Sequence, residues 1–197
     1  MSLRHGILGL LSYSFMGGYD LVKTFRDSLA YFWAAQTSQI YRELDGMRRA
    51  GWVRESGKIQ RGRTTKTLFE LTEAGRVELL RWLGEPAQRR AGERNLFLLR
   101  FFLQGRAGTQ AVHAQLTEVE ARARAAGDKL RDVAAQAAQK YGARAKPLDN
   151  FCWRSTLEYG IAHYEMQARW ARERLAELGA LAGEARPSAA ARKGKNR

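Results

Sequence analysis

The 197-residue sequence has one cysteine, three prolines and no long apolar run. Because Cys152 has no partner within the chain, an internal disulfide framework is excluded, and a reducing compartment is indicated. No stretch approaches the roughly 18 apolar residues that a membrane-spanning helix needs. Arg4 and the apolar residues 7–11 resemble a signal peptide, but residues 12–14 interrupt the run and no small-residue cleavage site follows. We therefore expect a cytoplasmic protein.

The sequence also lacks the patterns of an enzyme or a metal site. Its three histidines are far apart, and none has a ligand spacing with Cys152. No Ser-His-acid arrangement or glycine-rich phosphate motif occurs in a strand–turn–helix context. Cys152 lies between Phe151 and Trp153, where we expect a buried thiol that packs as a small hydrophobic group. The prediction is a protein without catalytic residues, metal or cofactor.

Basic residues are abundant. The chain has 34 Lys and Arg against 20 Asp and Glu, a formal net charge of +14. Such an excess favours a polyanionic partner, because each neutralised phosphate releases condensed counterions. A solvated basic surface is the alternative. Hydrophobic residues make up 45% of the chain, which is ordinary for a folded protein, and the length suffices for two small domains.

Residues 1–84 predict a small domain with the element order α-α-α-β-β-α. The third helix has Ile40, Leu44 and Met47 at helical spacing, Gly51 ends it, and Thr72 caps the fourth helix. Hydrophobic spacing and alternation place helices at 3–14, 19–29, 37–50 and 73–83, and strands at 52–55 and 67–71.

The segment from Gln36 to Gly75 joins a short helix to a two-stranded ribbon with a basic tip. This is the recognition half of a winged helix-turn-helix, which binds duplex DNA through the N-terminal part of that helix. Glutamine there can read adenine and arginine can read guanine, whereas Arg48 and Arg49 at the far end suit phosphate contact. A solvated polar helix face is the alternative. The outward residues of the first turns are Thr37, Ser38, Gln39, Tyr41 and Arg42.

The predicted ribbon contains five basic residues, and Glu55 is expected to be the one acidic residue among them. Gly57 and Gly62 are expected to let its tip turn. Like charges crowded on one hairpin repel each other unless an anion is present, and a phosphate backbone supplies one. A merely solubilising loop is the alternative. The basic residues are Arg54, Lys58, Arg61, Arg63 and Lys66.

Residues 85–92 predict a linker, residues 93–181 a helical domain, and residues 182–197 a disordered basic tail. Within the domain, helices are predicted at 95–105, 109–141 and 147–178. Apolar residues in the last two helices recur at steps averaging 3.5 residues, so each helix has a narrow seam that packs along another helix. We expect contact between protomers through Trp153, Leu157, Ile161, Tyr164, Ala168 and Leu175.

Four short motifs resemble, in order and spacing, the signatures of the PadR family of bacterial transcription regulators. They are Gly18-Tyr19-Asp20-Leu21, residues 38–44 (SQIYREL), residues 50–53 (AGWV) and residues 71–75 (LTEAG). The C-terminal part, through residues 96–105 and 168–178, is similar to the longer PadR subfamily with the helical domain of virulence activators. Residues 62–66 (GRTTK) depart from the family wing, which often has proline after Gly-Arg.

The resemblance implies a homodimer that binds an inverted repeat. Members of the family are usually repressors, often released by a small and frequently aromatic effector. It also implies that Tyr19 and Tyr41 lie near the phosphate backbone. An effector pocket is predicted from the aromatic residues Phe97, Phe101, Phe151 and Trp153, with packing in an interface core as the alternative.

The sequence therefore predicts a mainly α (α+β) protein, with a winged helix-turn-helix followed by a long-helix dimerisation domain. The predicted function is sequence-specific DNA binding. The alternative function is that of a protein–protein adaptor whose basic tip meets an acidic partner.

Overall fold

The computed structural model describes residues 3–61, 64–86, 95–141 and 145–184. The chain divides into two compact units, residues 1–90 and 91–197. Most of the predicted linker and the tail from residue 185 lie outside the described residues, so those domain boundaries stay predictions.

The described residues of the N-terminal unit form four helices and three strands, one strand more than predicted. The elements are α1 (Leu3–Tyr13), β1 (Met16–Gly17), α2 (Gly18–Ser28), α3 (Thr37–Arg49), β2 (Val53–Arg61), β3 (Thr64–Leu71) and α4 (Glu73–Gly84). The four predicted helices are confirmed to within one or two residues at each end.

One hydrophobic core joins the helices of this unit. The apolar face predicted for α3 is buried, with Ile40, Leu44 and Met47 each at most 4% exposed. Residues of α1 and α2 meet it at helical spacing, which is why three short helices can share one core. The buried residues that α1 and α2 contribute are Ile7, Leu8, Leu10, Leu11, Leu21, Val22 and Phe25.

The sheet is antiparallel, with the strand order β1-β3-β2. β1 pairs Met16 with Phe69, and a strand of two residues is too short to show alternation in a sequence. β2 and β3 are longer than predicted and pair from Val53–Leu71 to Arg61–Thr64, so most of the supposed basic loop is ribbon. The expectation for Gly57 is wrong, because it lies inside β2 beside a bulge. Gly62, the other glycine predicted for the tip, is outside the described residues.

The junction between α3, β2 and α4 is closely packed. Thr72 caps α4 as predicted: its Oγ accepts from the backbone N of Gly75 at 3.1 Å and donates to the carbonyl of Gly51 at 2.7 Å. Gly51 has φ = +73°, the left-handed conformation that favours glycine after a helix. A Cβ on Gly75 would lie 2.2 Å from the carbonyl oxygen of Trp52. The winged unit therefore depends on a glycine inside α4.

A buried histidine ties α1 to α4. The His5 ring stacks on Trp82 at 4.6 Å, and its Nε2 lies 3.0 Å from Oε1 of Glu78. Hydrogen bonds from Arg81 and from His5 lower the pKa of Glu78 to about 2. Sequence patterns do not predict this cluster, because His5 is 73 residues away from Glu78.

The C-terminal unit contains α5 (Leu96–Leu103), a 3-10 turn (Gln104–Ala107), α6 (Thr109–Tyr141) and α7 (Pro147–Glu184). Ion pairs from Arg172 to Glu120 and from Arg131 to Glu165 join α6 to α7 in antiparallel order. The bounds predicted for α6 are confirmed, while α7 continues six residues beyond the predicted end.

The predicted seams lie between α6 and α7 of one chain. Leu116, Ala123 and Leu130 are buried on α6, as are Leu157 and Ala168 on α7. The apolar spacing of α6 and α7 thus corresponds to a helix pair within the protomer, because the two antiparallel helices bury each other's seams. The assignment of Trp153, Leu157, Ile161, Tyr164, Ala168 and Leu175 to a dimer interface stays a prediction.

Two further observations concern exposed surfaces of this unit. Cys152 is exposed, so the expectation of a buried thiol is wrong. No residue of α5 is buried, and Leu99 and Phe102 are 60% and 86% exposed. Among the described helices, none is long and apolar enough to cross a bilayer.

Candidate nucleic-acid interface

The first turns of α3 carry the residues that were predicted to read bases. Ser38, Gln39, Tyr41 and Arg42 are exposed, and Thr37 is half-buried. They are exposed because Ile40 and Leu44 turn the opposite side of α3 into the core. The structure therefore brings these five predicted residues to one short helix end.

Two of these side chains already have partners in the protein. Thr37 Oγ1 accepts a hydrogen bond from Arg26 Nη2 at 2.7 Å, and Gln39 Oε1 accepts one from the backbone N of Gln36 at 2.9 Å. The second bond is half of a capping box, in which the third helical residue satisfies the amide of the N-cap residue. Sequence reasoning missed both roles, although the Gln-x-x-Gln spacing from Gln36 to Gln39 is a signal for the cap.

The arginines of α3 fall into two groups. Arg48 pairs with Asp45 at 3.0 Å and with Glu55 at 3.1 Å, and Arg49 also pairs with Asp45. Hydrogen bonding to Asp45 raises the pKa of Arg48 above its ordinary value. In the part of the chain that the structure describes, no carboxylate pairs with Arg42. Of the three, Arg42 is best placed to meet a ligand, whereas Arg48 and Arg49 must first leave an internal partner.

Tyr41 packs closely against the start of α2. An added Cβ on Gly18 would lie 2.7 Å from Cε1 of the Tyr41 ring and 3.3 Å from its hydroxyl oxygen. The tyrosine is still 44% exposed. The absence of a side chain at Gly18 thus sets where the Tyr41 hydroxyl sits on the surface.

Lys66 connects the ribbon to α2. Its Nζ lies 3.5 Å from Oδ1 of Asp20 and 5.4 Å from the centroid of the Tyr19 ring. A cation above an aromatic face is attracted by the ring quadrupole, so both contacts hold the ammonium group. Lys66 and Tyr19, together with Tyr41 and Gly18, border a hollow of about 220 Å³. The predicted residues Tyr19, Tyr41 and Lys66 therefore meet at one place.

The ribbon is less crowded with unpaired charge than the sequence suggested. Arg54 pairs with Glu70 of the neighbouring strand, and Glu55 is held by Arg48. The expectation of a hairpin with Glu55 as its one acid is wrong, because antiparallel pairing brings Glu70 opposite Arg54. Lys58 is exposed on β2. The side chain of Arg61 and all of Arg63 lie outside the described residues.

The predicted aromatic pocket divides into two places. Phe97 and Phe101 contact Trp170, with ring centroids 5.8 and 5.3 Å away. Phe151 and Trp153 lie roughly 25 Å or more from Trp170 along α7, at 1.5 Å per residue, so the four predicted residues do not line one cavity.

A hollow of about 800 Å³ lies beside the Phe97–Phe101–Trp170 group. The hollow has both apolar and charged walls. Its lining includes Phe97, Arg100, Arg122, Tyr164, Gln167 and Trp170.

This fold and this site define a class: a winged helix-turn-helix whose first α3 turns are exposed, followed by a domain of long paired helices. Residues 7–81 match the transcriptional regulator PadR-like family, and residues 93–179 match the C-terminal domain of virulence activators. The chain therefore carries a PadR-like domain followed by a virulence-activator C-terminal domain, as the four motifs and the likeness of the C-terminal part predicted. Neither family description is that of an enzyme.

Two curated relatives illustrate the match. A probable transcriptional regulator of Mycobacterium tuberculosis, Rv1176c, is 42% identical over 86 residues, 44% of this chain and 46% of the relative. The negative transcriptional regulator PadR of Bacillus subtilis is 38% identical over 81 residues, 41% of this chain and 44% of the relative. The aligned segment thus spans less than half the length of these curated relatives.

Solved structures cover nearly the whole chain. Bacillus subtilis PadR in complex with operator DNA has a TM-score of 0.77 at 23% identity, covering 90% of this chain and 99% of that one. The same protein in complex with p-coumaric acid has a TM-score of 0.73 at 22% identity, covering 91% and 99%. The Vibrio cholerae virulence activator AphA has a TM-score of 0.69 at 28% identity, covering 91% and 99%.

Proposed function

We propose that this protein is a DNA-binding transcriptional regulator that reads a specific operator through the first turns of α3. The single observation that carries the proposal is the exposed group of Ser38, Gln39, Tyr41 and Arg42 on a helix whose other side is core. Side chains of these types supply the hydrogen bonds that base edges and phosphates accept. The operator complex of Bacillus subtilis PadR, a protein of the same fold, supports duplex DNA as the partner.

The protein acts as a homodimer on an inverted repeat. The α5 helix supports this proposal, because Leu98, Leu99 and Phe102 are each at least 55% exposed. Together they form an exposed apolar surface of the kind that marks a protein–protein contact. Two copies joined about a two-fold axis present two α3 helices, and half-sites about one helical turn apart then match them. The proposed site of action is the cytoplasm, where the DNA of a bacterium lies.

Repression with release by a small aromatic ligand is the proposed mode of regulation. The hollow beside Phe97 and Trp170 supports it, since it has aromatic rings for stacking and the basic side chains of Arg100 and Arg122 at its border. The name of one relative, a negative regulator, and the p-coumaric acid complex of that protein point the same way.

The experiment starts from genomic DNA fragments that the full-length protein retains, followed by titration of one selected duplex and of its scrambled version. Arg42→Ala should weaken binding to the selected duplex by about 5- to 150-fold, the value of one good base contact, and should leave the scrambled duplex nearly unchanged. Arg49→Ala is the matched control on the same helix. It is already paired with Asp45, so its loss should affect both duplexes alike and only slightly.

Two results would contradict the proposal. If the parent protein does not retard either duplex at low salt, the protein is an adaptor instead of a regulator of DNA. If its mass in solution at micromolar concentration equals one chain of 22.3 kDa, the homodimer is wrong. p-Coumaric acid is the first ligand to test for release of the selected duplex.

A further inference from the structure

The two ends of one side-chain amide on α3 have different tasks. Gln39 is exposed, and its Oε1 accepts the backbone N–H of Gln36 at 2.9 Å. Gln36 is the N-cap residue, so this bond satisfies a backbone donor that the helix itself leaves open. The bond uses one of the two lone pairs of the amide oxygen and holds that end of the amide at the helix start. The Nε2 group with its two donors is therefore the end that remains free to meet a ligand.

This arrangement bears on which base Gln39 can read. Bidentate recognition of adenine needs both ends of the amide, since the oxygen accepts from N6 and the nitrogen donates to N7. The bond to Gln36 competes with that use of the oxygen. An amide that only donates matches a base edge that only accepts. Guanine has two such acceptors, O6 and N7, and thymine has O4. Adenine has the N7 acceptor beside the N6 amino donor, and cytosine presents a donor.

We propose that Gln39 caps α3 and reads DNA as a hydrogen-bond donor at the same time, so that its base is guanine, with thymine second, and not adenine. The inference rests on the proposed function and specifies the DNA chemistry of that site. Arg42 lies three residues further along α3, on the same side, and its guanidinium also only donates. Both side chains therefore favour a half-site with guanine at the positions that α3 faces.

Gln39→Glu separates the two tasks. A glutamate keeps an oxygen for the Gln36 amide, and a carboxylate is favourable in the first turn of a helix, so the cap survives. It has no donors, and a carboxylate accepts from the N4 amino group of cytosine. Gln39→Ala removes both the cap and the reading group.

The experiment is selection from a randomised DNA duplex library with the full-length parent and each variant. The parent should enrich guanine at one symmetry-related pair of positions, and Gln39→Glu should enrich cytosine there. The change in preference at that position should be at least about fivefold, the low end for a base contact. Thermal melting should be unchanged in Gln39→Glu and about 2–4 °C lower in Gln39→Ala.

Gln60→Glu is the matched control. Gln60 is an exposed glutamine of the ribbon, and its amide contacts the Thr65 hydroxyl at 3.4 Å instead of a helix start. The substitution adds the same negative charge to the same unit. It should weaken binding to all sequences and leave the enriched bases as they are, which separates repulsion of phosphate from a change of base reading.

Three outcomes overturn the inference. Adenine or cytosine enriched by the parent at the position that Gln39→Glu alters would show that the cap does not restrict the amide. An unaltered set of enriched bases with Gln39→Glu would show that Gln39 reads nothing. Melting of Gln39→Ala at the same temperature as the parent would show that the cap is not made. A parent that enriches no sequence at all would instead refute the proposed operator specificity, which distinguishes that failure from the other three.

Discussion

Replacing Gly18 by alanine tests whether the start of α2 sets the position of Tyr41. The new Cβ would lie 2.7 Å from Tyr41 Cε1, whereas carbon atoms pack best at about 3.5–4.0 Å, so the ring must move by roughly 0.8 Å. Tyr41 is 44% exposed, and its ring can swing toward solvent. The cost therefore falls near the low end of about 1–3 kcal/mol for overpacking. Alanine gains about 0.5–1 kcal/mol over glycine in a helix, so stability should hardly change.

DNA binding should change much more than stability. A hydrogen bond from the Tyr41 hydroxyl to a phosphate would contribute about 1.5–3 kcal/mol to binding. A displaced hydroxyl loses part of that free energy, so affinity for the selected duplex should fall about tenfold. Fluorescence anisotropy titration measures this, and a denaturant melt measures stability. Gly9→Ala is the matched control, because its Cβ meets nothing within 4 Å. If Gly18→Ala weakens binding equally in a Tyr41→Ala background, the effect does not pass through Tyr41 and the reasoning is wrong.

Two predictions concern stability alone. Gly75→Ala should lower the free energy of unfolding by about 1–3 kcal/mol or more, because the new Cβ would lie 2.2 Å from the backbone oxygen of Trp52. Gly84→Ala is the control, because its Cβ would meet open space. Equal midpoints of the two variants in a urea titration would contradict the packing argument. The pKa of Glu78 is lowered from 4.5 to about 2, so its contribution is present above pH 4.5 and is lost as the pH falls from there toward 2. As the pH falls over that interval, the free energy of unfolding of Glu78→Gln should therefore decrease less than that of the parent. Parallel curves of unfolding free energy against pH for the two proteins would refute this prediction.

The helices and their buried faces could be predicted because hydrophobic spacing is a local property. The period of Ile40, Leu44 and Met47 identified α3, and the heptad-like steps of α6 gave its bounds to the residue. β1 could not be found in the same way, since two residues carry no period and the strand exists through its pairing with β3.

The candidate site was predictable by residue type and less so by pairing. Exposure of Ser38, Gln39 and Arg42 follows from the helix period. The partners of Lys66 and Arg54 do not, because Asp20 and Glu70 meet them only through the folding of the sheet and the packing of α2. Charges that look unpaired along a sequence therefore acquire partners from elements that are remote in it.

These internal ion pairs affect how strongly the affinity of the protein for a polyanion should depend on salt concentration. Each counterion released by a bound phosphate adds about 0.9 to the logarithmic slope, but only when the cation that replaces it was not already neutralised. Arg48, Arg49, Arg54 and Lys66 each lie beside a carboxylate. The number of lysines and arginines would thus overestimate how strongly DNA affinity depends on ionic strength. The protein should remain bound to a duplex at salt concentrations at which other proteins of similar net charge dissociate.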